Sequence, residues 1–347
     1  MKSLASIAWN VDEPTYRSDS ALSYSTLSRY EREGKFNALP NLFDKLSTPS
    51  LTFGSMVDTL ITSSEEEYKN QFICVENPGI SDTLKEITEK VFALYHEIYN
   101  SFDDIPNEIL SQVGKSCDFW ANDKYDEVRG KKIRENCKPY YNTLLISEGK
   151  TVITEEEDAL ARACVEALRT SPYTSFAFGG NQSEDVEVYY QLKFKGEYEG
   201  INYRCMVDAI IVNHTNKTIQ PIDLKTSSHN EWEFPLSFQK YRYDLQARLY
   251  WRLIKQNLEK DDFFKDYKLL DYKFIVINKK NCKPLVWDFP MTQVSGEISF
   301  TTPSGYKVTW RDPYVIGEEL HEYLETTPEL PKEIGTSNNI MKWLQTH

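Results

Sequence analysis

Apolar positions along the chain change their spacing near residue 180. Before that point they recur every three or four residues, the period of a helix with one buried face. A helix is predicted from Ser23, where STLSRYERE joins a hydroxyl cap to helical spacing. In LTFGSMVDTLI, residues 51–61, Phe53, Val57, Leu60 and Ile61 share one face, which sets Asp58 on or beside a helix. Residues 82–141 read as helical with breaks at Pro106 and Pro139, and the charged run 124–136 as a solvated helix. A further helix starts at Thr154, whose TEEED supplies a cap and an acidic first turn. Its stripe is Leu160, Ala163, Cys164, Ala167 and Leu168.

After Gly180 the period shortens. Residues 184–195, 200–213 and 217–225 alternate like strands and are rich in Val, Ile and Tyr. One helix is predicted over roughly 235–257, strands near 270–278 and 284–290, and helices over 311–325 and 338–345. The layout predicts an α/β fold with a mixed central sheet flanked by helices and a helical N-terminal half. Residues 1–20 read as an irregular arm. Residues 21–347 read as one domain: a helical part to 180, a sheet core over 181–300 and a helical tail over 301–347.

Composition changes this picture only at its edges. The 347 residues are 40% hydrophobic and 27% charged, ample for a core. The 22 Tyr and 17 Phe are core and contact material. A net charge of −13 argues against a uniformly basic nucleic-acid coat, but leaves room for a carboxylate metal site with local positive charge. The six cysteines form no CxxC pair, which argues against a zinc ribbon and for reduced thiols in a cytosol. The first twenty residues lack the apolar run of a secretory signal, and no stretch of 18 apolar residues predicts a membrane span.

The chemistry gathers in residues 203–225. Two strands flank the polar turn NHTNK. A four-residue loop, His214–Lys217, pairs Asn213 with Thr218, and counting back along the ladder sets Asp208 opposite Asp223. Directly opposed side chains lie about 5 Å apart. Strand alternation puts Lys225 on the same face. Two facing carboxylates in an apolar hairpin need a counter-charge, which a divalent cation or a diagonal Asp208–Lys225 salt bridge would supply. In FQKYRYDLQARLYWRL, Phe238, Tyr241, Leu245, Leu249 and Leu253 form a buried stripe, and Arg242, Gln246 and Tyr250 recur beside it. That second stripe suits phosphate and water contacts, or is the polar border of an ordinary amphipathic helix.

Asp208, Asp223-Leu224-Lys225 and Gln246-x-x-x-Tyr250 together resemble the RecB-like branch of the PD-(D/E)xK nucleases. DLKTS followed by FQKYRYDLQARLYWRL is similar to its exodeoxyribonuclease VIII, or RecE-type, family, and YSTLSRYEREGKF with LTFGSMVDTLI is similar to that family's opening elements. The resemblance spans roughly residues 22–290 and implies the PD-(D/E)xK core. It implies that Asp208, Asp223 and the Leu224 carbonyl hold Mg2+, which Mn2+ could replace, and that Lys225 promotes attack on phosphorus. Asp58 stands where relatives carry a ligand histidine and is carried over as a ligand. The family's preceding strand glutamate maps to Glu187, with Glu184 as the rival. Gln246 and Tyr250 would hold water and the scissile phosphate, and Arg242 and Thr226 would contact DNA.

The activity so implied is 5′-to-3′ digestion of linear double-stranded DNA, leaving 3′ overhangs for a RecT-type annealing protein. The enzyme would be a homo-oligomeric ring in the cytoplasm of a bacterial or phage-infected cell. A structure-specific or restriction-type endonuclease, or an inactive DNA-end-binding protein, would share the fold. AddB-like relatives bind an iron–sulfur cluster through one N-terminal and three C-terminal cysteines. Here Cys282 alone lies near the C-terminus, so no cluster is expected.

Overall fold

A computed structural model describes residues 2–38, 42–43, 48–76, 79–147, 149–180, 183–302 and 304–326. The predicted helix at 338–345 lies outside these residues. The sequence reads as one domain, whereas the folded chain divides into two compact units, Met1–Thr62 with Ala163–His347, and Ser63–Arg162.

The first unit opens with α1 (Glu13–Ser18), α2 (Tyr24–Ala38) and α3 (Pro49–Thr62). Residues 1–20 are not the irregular arm their polarity suggests. Leu4 and Tyr16 are buried, and the Trp9 N–H donates to the Lys193 carbonyl at 2.7 Å. Two apolar anchors fix the segment where a strand edge leaves carbonyls to be met. In α3, Phe53, Met56 and Val57 are buried, while Leu60 and Ile61 stay half-buried.

The second unit contains α4 (Glu65–Gln71), β1 (Phe72–Val75), α5 (Asp82–Tyr95), α6 (Asn107–Ser116), α7 (Asp126–Ile146) and β2 (Thr151–Thr154). β1 and β2 pair in parallel. Pro139 does not break its helix but sits inside α7. The loss of one backbone donor there is offset by burial of Cys137, Tyr140 and Tyr141 around it. The charged run 124–136 is not wholly solvated either. Arg129 and Ile133 are buried, with the Arg129 Nε donating to the Ser111 carbonyl at 2.9 Å. Gly130 is required here, since an added Cβ would lie 2.3 Å from the Asn107 carbonyl oxygen. α8 (Glu155–Thr170) begins in this unit and ends in the first. Thr154 and Glu157 exchange a reciprocal cap at its start. Its buried stripe is Ala161, Cys164, Val165 and Leu168. It is rotated from the expected one, and Ala163 is exposed.

The rest of the first unit adds α9 (Ser175–Phe178), then β3 (Val186–Tyr198), β4 (Ile201–Asn213) and β5 (Thr218–Ser227). Next come α10 (Phe234–Tyr241), α11 (Tyr243–Glu259), β6 (Lys268–Leu269), β7 (Tyr272–Asn278), β8 (Lys283–Phe289), β9 (Ile298–Thr301), β10 (Lys307–Trp310) and α12 (Pro313–Thr326). The main sheet runs β3-β4-β5-β7-β8, with β6 beside β5. β5 and β7 are parallel and the other neighbours on that path antiparallel, so the sheet is mixed. A parallel pair needs a long crossover, and α10–α11 supply it. The single helix expected over 235–257 is two, because Arg242 adopts a left-handed conformation with φ 55° between them. Leu245, Leu249 and Leu253 of α11 are fully buried against the sheet. The β9–β10 hairpin occupies the start of the stretch expected to be a helical tail, and its strands are only four residues each. No helix among the described residues is long and apolar enough to cross a membrane.

Candidate metal centre

The β4–β5 hairpin turns through His214–Lys217, with Asn213 opposite Thr218. Lys217 takes a left-handed φ of 50°, and the Asn213 side chain accepts the Asn216 N–H at 2.8 Å. The ladder then runs to Ala209 opposite Ile222 and stops. One step further, Asp208 faces Asp223 in the same count. There the Asp208 carboxylate replaces the missing ladder acceptor and takes the Leu224 N–H at 2.8 Å. Asp223 is 1% exposed, while Asp208 keeps some contact with solvent.

Lys225 lies at 2.7 Å from Asp223 Oδ2, and its ammonium sits 4.9 Å from the centre of the Tyr243 ring. The cation thus pairs directly with Asp223, not diagonally with Asp208. Gln246 of α11 donates its amide to Asp223 Oδ1, and its own Oε1 is buried without a partner. Tyr250, one turn on, is buried near both carboxylates. Asp58 of α3 accepts a hydrogen bond from Gln191 Nε2 at 2.8 Å.

The electrostatics are those of crowded carboxylates. Burial raises Asp208 well above the usual carboxylate range, and repulsion from Asp223 and Asp58 adds to it, against the pull of Lys225. Burial also raises Asp223, despite the favourable contacts of Lys225 and Gln246. Asp58 is pushed up to about 6, by burial first; Gln191 opposes this, and Glu13 and Asp223 add repulsion. Lys225 goes the other way. Burial disfavours its charge, yet Asp223, Tyr243 and Asp208 outweigh it and raise its pKa. All three acids are thus raised, by burial first, and Lys225 opposes each shift.

Among the described residues, no three His, Cys, Asp or Glu side chains stand ready-arranged around a cation. Asp58 is bonded to Gln191, Asp208 to the Leu224 N–H, and Asp223 to Lys225 and Gln246. The donor set nevertheless fits a hard cation. It consists of carboxylate oxygens with a partnerless buried amide oxygen beside them.

Other expected residues lie elsewhere. Glu187 stands opposite Val212, four residues along β4 from Asp208, or about 13 Å at strand rise. It is bonded to Tyr189 and, at 3.1 Å, to His214 Nε2, contacts that lower its pKa although burial works to raise it. Glu184 precedes β3 and is exposed. Thr226 is half-buried against Gly54 of α3. The β3 residue that faces Asp208 is Gln191, which the resemblance did not single out.

Arg242 is not a surface cation. It is 7% exposed, bonding Asp244 Oδ1 at 2.8 Å and Glu31 Oε1 at 2.8 Å. It belongs to a buried ion network with Arg248, Arg252, Arg311, Asp244, Asp312 and Glu31. Burial works to raise Glu31 and Asp312, but hydrogen bonds from Arg311 to the first and Arg252 to the second leave both lowered. A depressed carboxyl contributes stability above its unfolded pKa, near 4.5 for Glu31 and 3.8 for Asp312, and loses it as pH falls through the folded value. Urea-unfolding midpoints should therefore fall as the pH drops below about 4.5, and the fall should be shallower in Glu31→Gln. Identical pH profiles for the two proteins would remove Glu31 from the account.

No family model matches this chain, and no curated protein matches it. Among solved structures it is similar to a proposed exonuclease from Eubacterium rectale. That match covers 97% of this chain and 86% of the other, at 13% identity and a TM-score of 0.39. A likeness of that degree leaves the function to be read from the site itself.

Proposed function

We propose that the protein is a Mg2+-dependent deoxyribonuclease of the PD-(D/E)xK type that digests linear double-stranded DNA from its ends. The observation that carries this reading is buried Asp223, paired with Lys225 and bonded by Gln246, with Asp208 and Asp58 near enough to repel one another and Tyr250 one turn beyond Gln246 on the same helix. With all three carboxylates ionised, they and the lysine would sum to −2, which a divalent cation would offset. Asp208, Asp223 and Asp58, with the Leu224 carbonyl, would hold that ion, and Mn2+ could take its place. When bound it would neutralise the acids and draw charge from the phosphate being cut.

The chain's own groups divide the remaining work. The Lys225 ammonium, 2.7 Å from Asp223, would hold the attacking water and the charge that grows on phosphorus. Gln246 orients Asp223 through its amide and has Oε1 left to accept from water. Tyr250, whose phenol is kept neutral by burial, can donate a hydrogen bond to water or phosphate but does not give up its proton in the working pH range. Glu187 and Arg242, tied to other partners, are given no part. A RecT-type annealing partner, a ring assembly and a bacterial or phage setting extend the same reading.

The test is digestion of one duplex in linear and closed-circular form, with Mg2+ or with EDTA. Loss of the linear form alone, only with Mg2+ and not by Asp223→Ala, is the expected result. Cutting of the circle would make the enzyme an endonuclease. Binding of ends without cutting would make it an end-binding protein.

A further inference from the structure

Gln191 lies within β3 at φ 54°, in the left-handed region that residues other than glycine adopt at a cost. Tyr190 pairs with Ala209 and Leu192 with Val207, so Gln191 and Asp208 face each other in a step where the ladder is interrupted. Both strands change faces there. On β4, Tyr203, Cys205 and Val207 enter the main core before the step, and Ile210 and Val212 after it. On β3, Leu192 and Phe194 pack there on one side of the step and Tyr189 on the other. The break thus reverses the alternation of two paired strands beside the carboxylates. The Gln191 amide then donates to Asp58 Oδ1 at 2.8 Å, joining α3 to the sheet at the site. Strained backbone of this kind persists where the surroundings fix it, and it gathers at working sites.

We infer that Gln191 is a positioning residue: its left-handed backbone aims a neutral amide at Asp58 and holds that carboxylate in the cation-binding set. The inference rests on the cation site proposed above. An amide suits the task because it donates to Asp58 without adding charge, so three acids and one lysine still balance one divalent ion. A glutamate in its place would repel Asp58.

The test uses the full chain and Mn2+ alone, with free ion followed by electron paramagnetic resonance. Gln191→Gly accepts the left-handed backbone and removes the amide. Gln191→Asn tolerates that backbone and is one methylene too short to reach. Both should weaken Mn2+ binding about tenfold, the range for a group that orients a ligand. Gln191→Gly should melt no lower than wild type, so that weaker binding is not unfolding. Asp58→Ala should weaken binding as much, and adding Gln191→Gly to it should do nothing more. Unchanged Mn2+ affinity in both Gln191 variants, or effects additive with Asp58→Ala, would overturn the role of Gln191 alone. A wild-type protein that takes up no Mn2+ would overturn the cation site and this role together.

Discussion

Replacing Lys225 by alanine is expected to cut the rate of DNA digestion about a thousandfold or more, while leaving the protein able to bind Mn2+. The two effects separate because Lys225 has two roles. During reaction its ammonium would meet charge that develops on phosphorus, and loss of one such donor costs roughly 10²–10³ in rate, more when it also holds the nucleophile. In the free protein it is the resident counter-ion of Asp223, at 2.7 Å, inside a cluster that also holds Asp208 and Asp58. Without it those acids keep their burial and their mutual repulsion. The variant should therefore melt lower than wild type in EDTA and gain more from Mg2+ than wild type does, since a ligand that binds only the folded state stabilises it by mass action. Thermal melts with and without Mg2+, beside a single-turnover digestion, read both roles. Digestion within about tenfold of wild type would remove Lys225 from the chemistry. Equal Mg2+ stabilisation of the two proteins would remove it as the counter-ion.

How much of this could be read from the sequence depends on whether a feature is local. The hairpin register was legible because NHTNK leaves few ways to turn, and Asn213 does face Thr218. The mixed sheet and its crossover followed from the switch in apolar spacing. Asp208, Asp223, Lys225 and Gln246 come together as strand alternation and helical spacing require. What failed were features decided by distant partners. Alternation carried straight through β3 cannot reveal that Gln191 is left-handed, and a resemblance that calls for a glutamate on that strand does not single out the residue facing Asp208. Arg242 sits at helical spacing with Gln246, yet Glu31, 211 positions away, and Asp244 draw it inward and split the helix. Pro139 misled in the other direction, since tertiary burial in α7 overrode its local cost.

Asp244→Ala should destabilise the protein by about 3–5 kcal/mol, the cost of leaving buried cations without their anion. Asp244 is 0% exposed. Arg242 meets it at 2.8 and 3.1 Å, and Arg248, itself 0% exposed, lies at 3.7 Å. Arg248 retains Asp312 at 3.2 Å and the Val294 and Arg311 carbonyls, but Arg242 would keep Glu31 as its carboxylate partner, beside a long contact to the Arg311 carbonyl and the Trp310 ring at 6.0 Å. A control is built into the second unit, where Arg162 and Glu65 pair at 2.9 Å with both side chains over 40% exposed. Breaking that pair by Glu65→Ala should cost under about 1 kcal/mol, because water replaces the lost partner. Urea unfolding of both variants gives the comparison, and similar small losses would show the buried network to be dispensable. The effect should also reach the site. Asp244 fixes Arg242 at the break where α11 begins, and two residues further on Gln246 donates to Asp223. An Asp244→Asn variant that stays folded should therefore bind Mn2+ more weakly than wild type, with Asp223, Asp208 and Lys225 all intact, because the helix that carries Gln246 would no longer be anchored at its first turn.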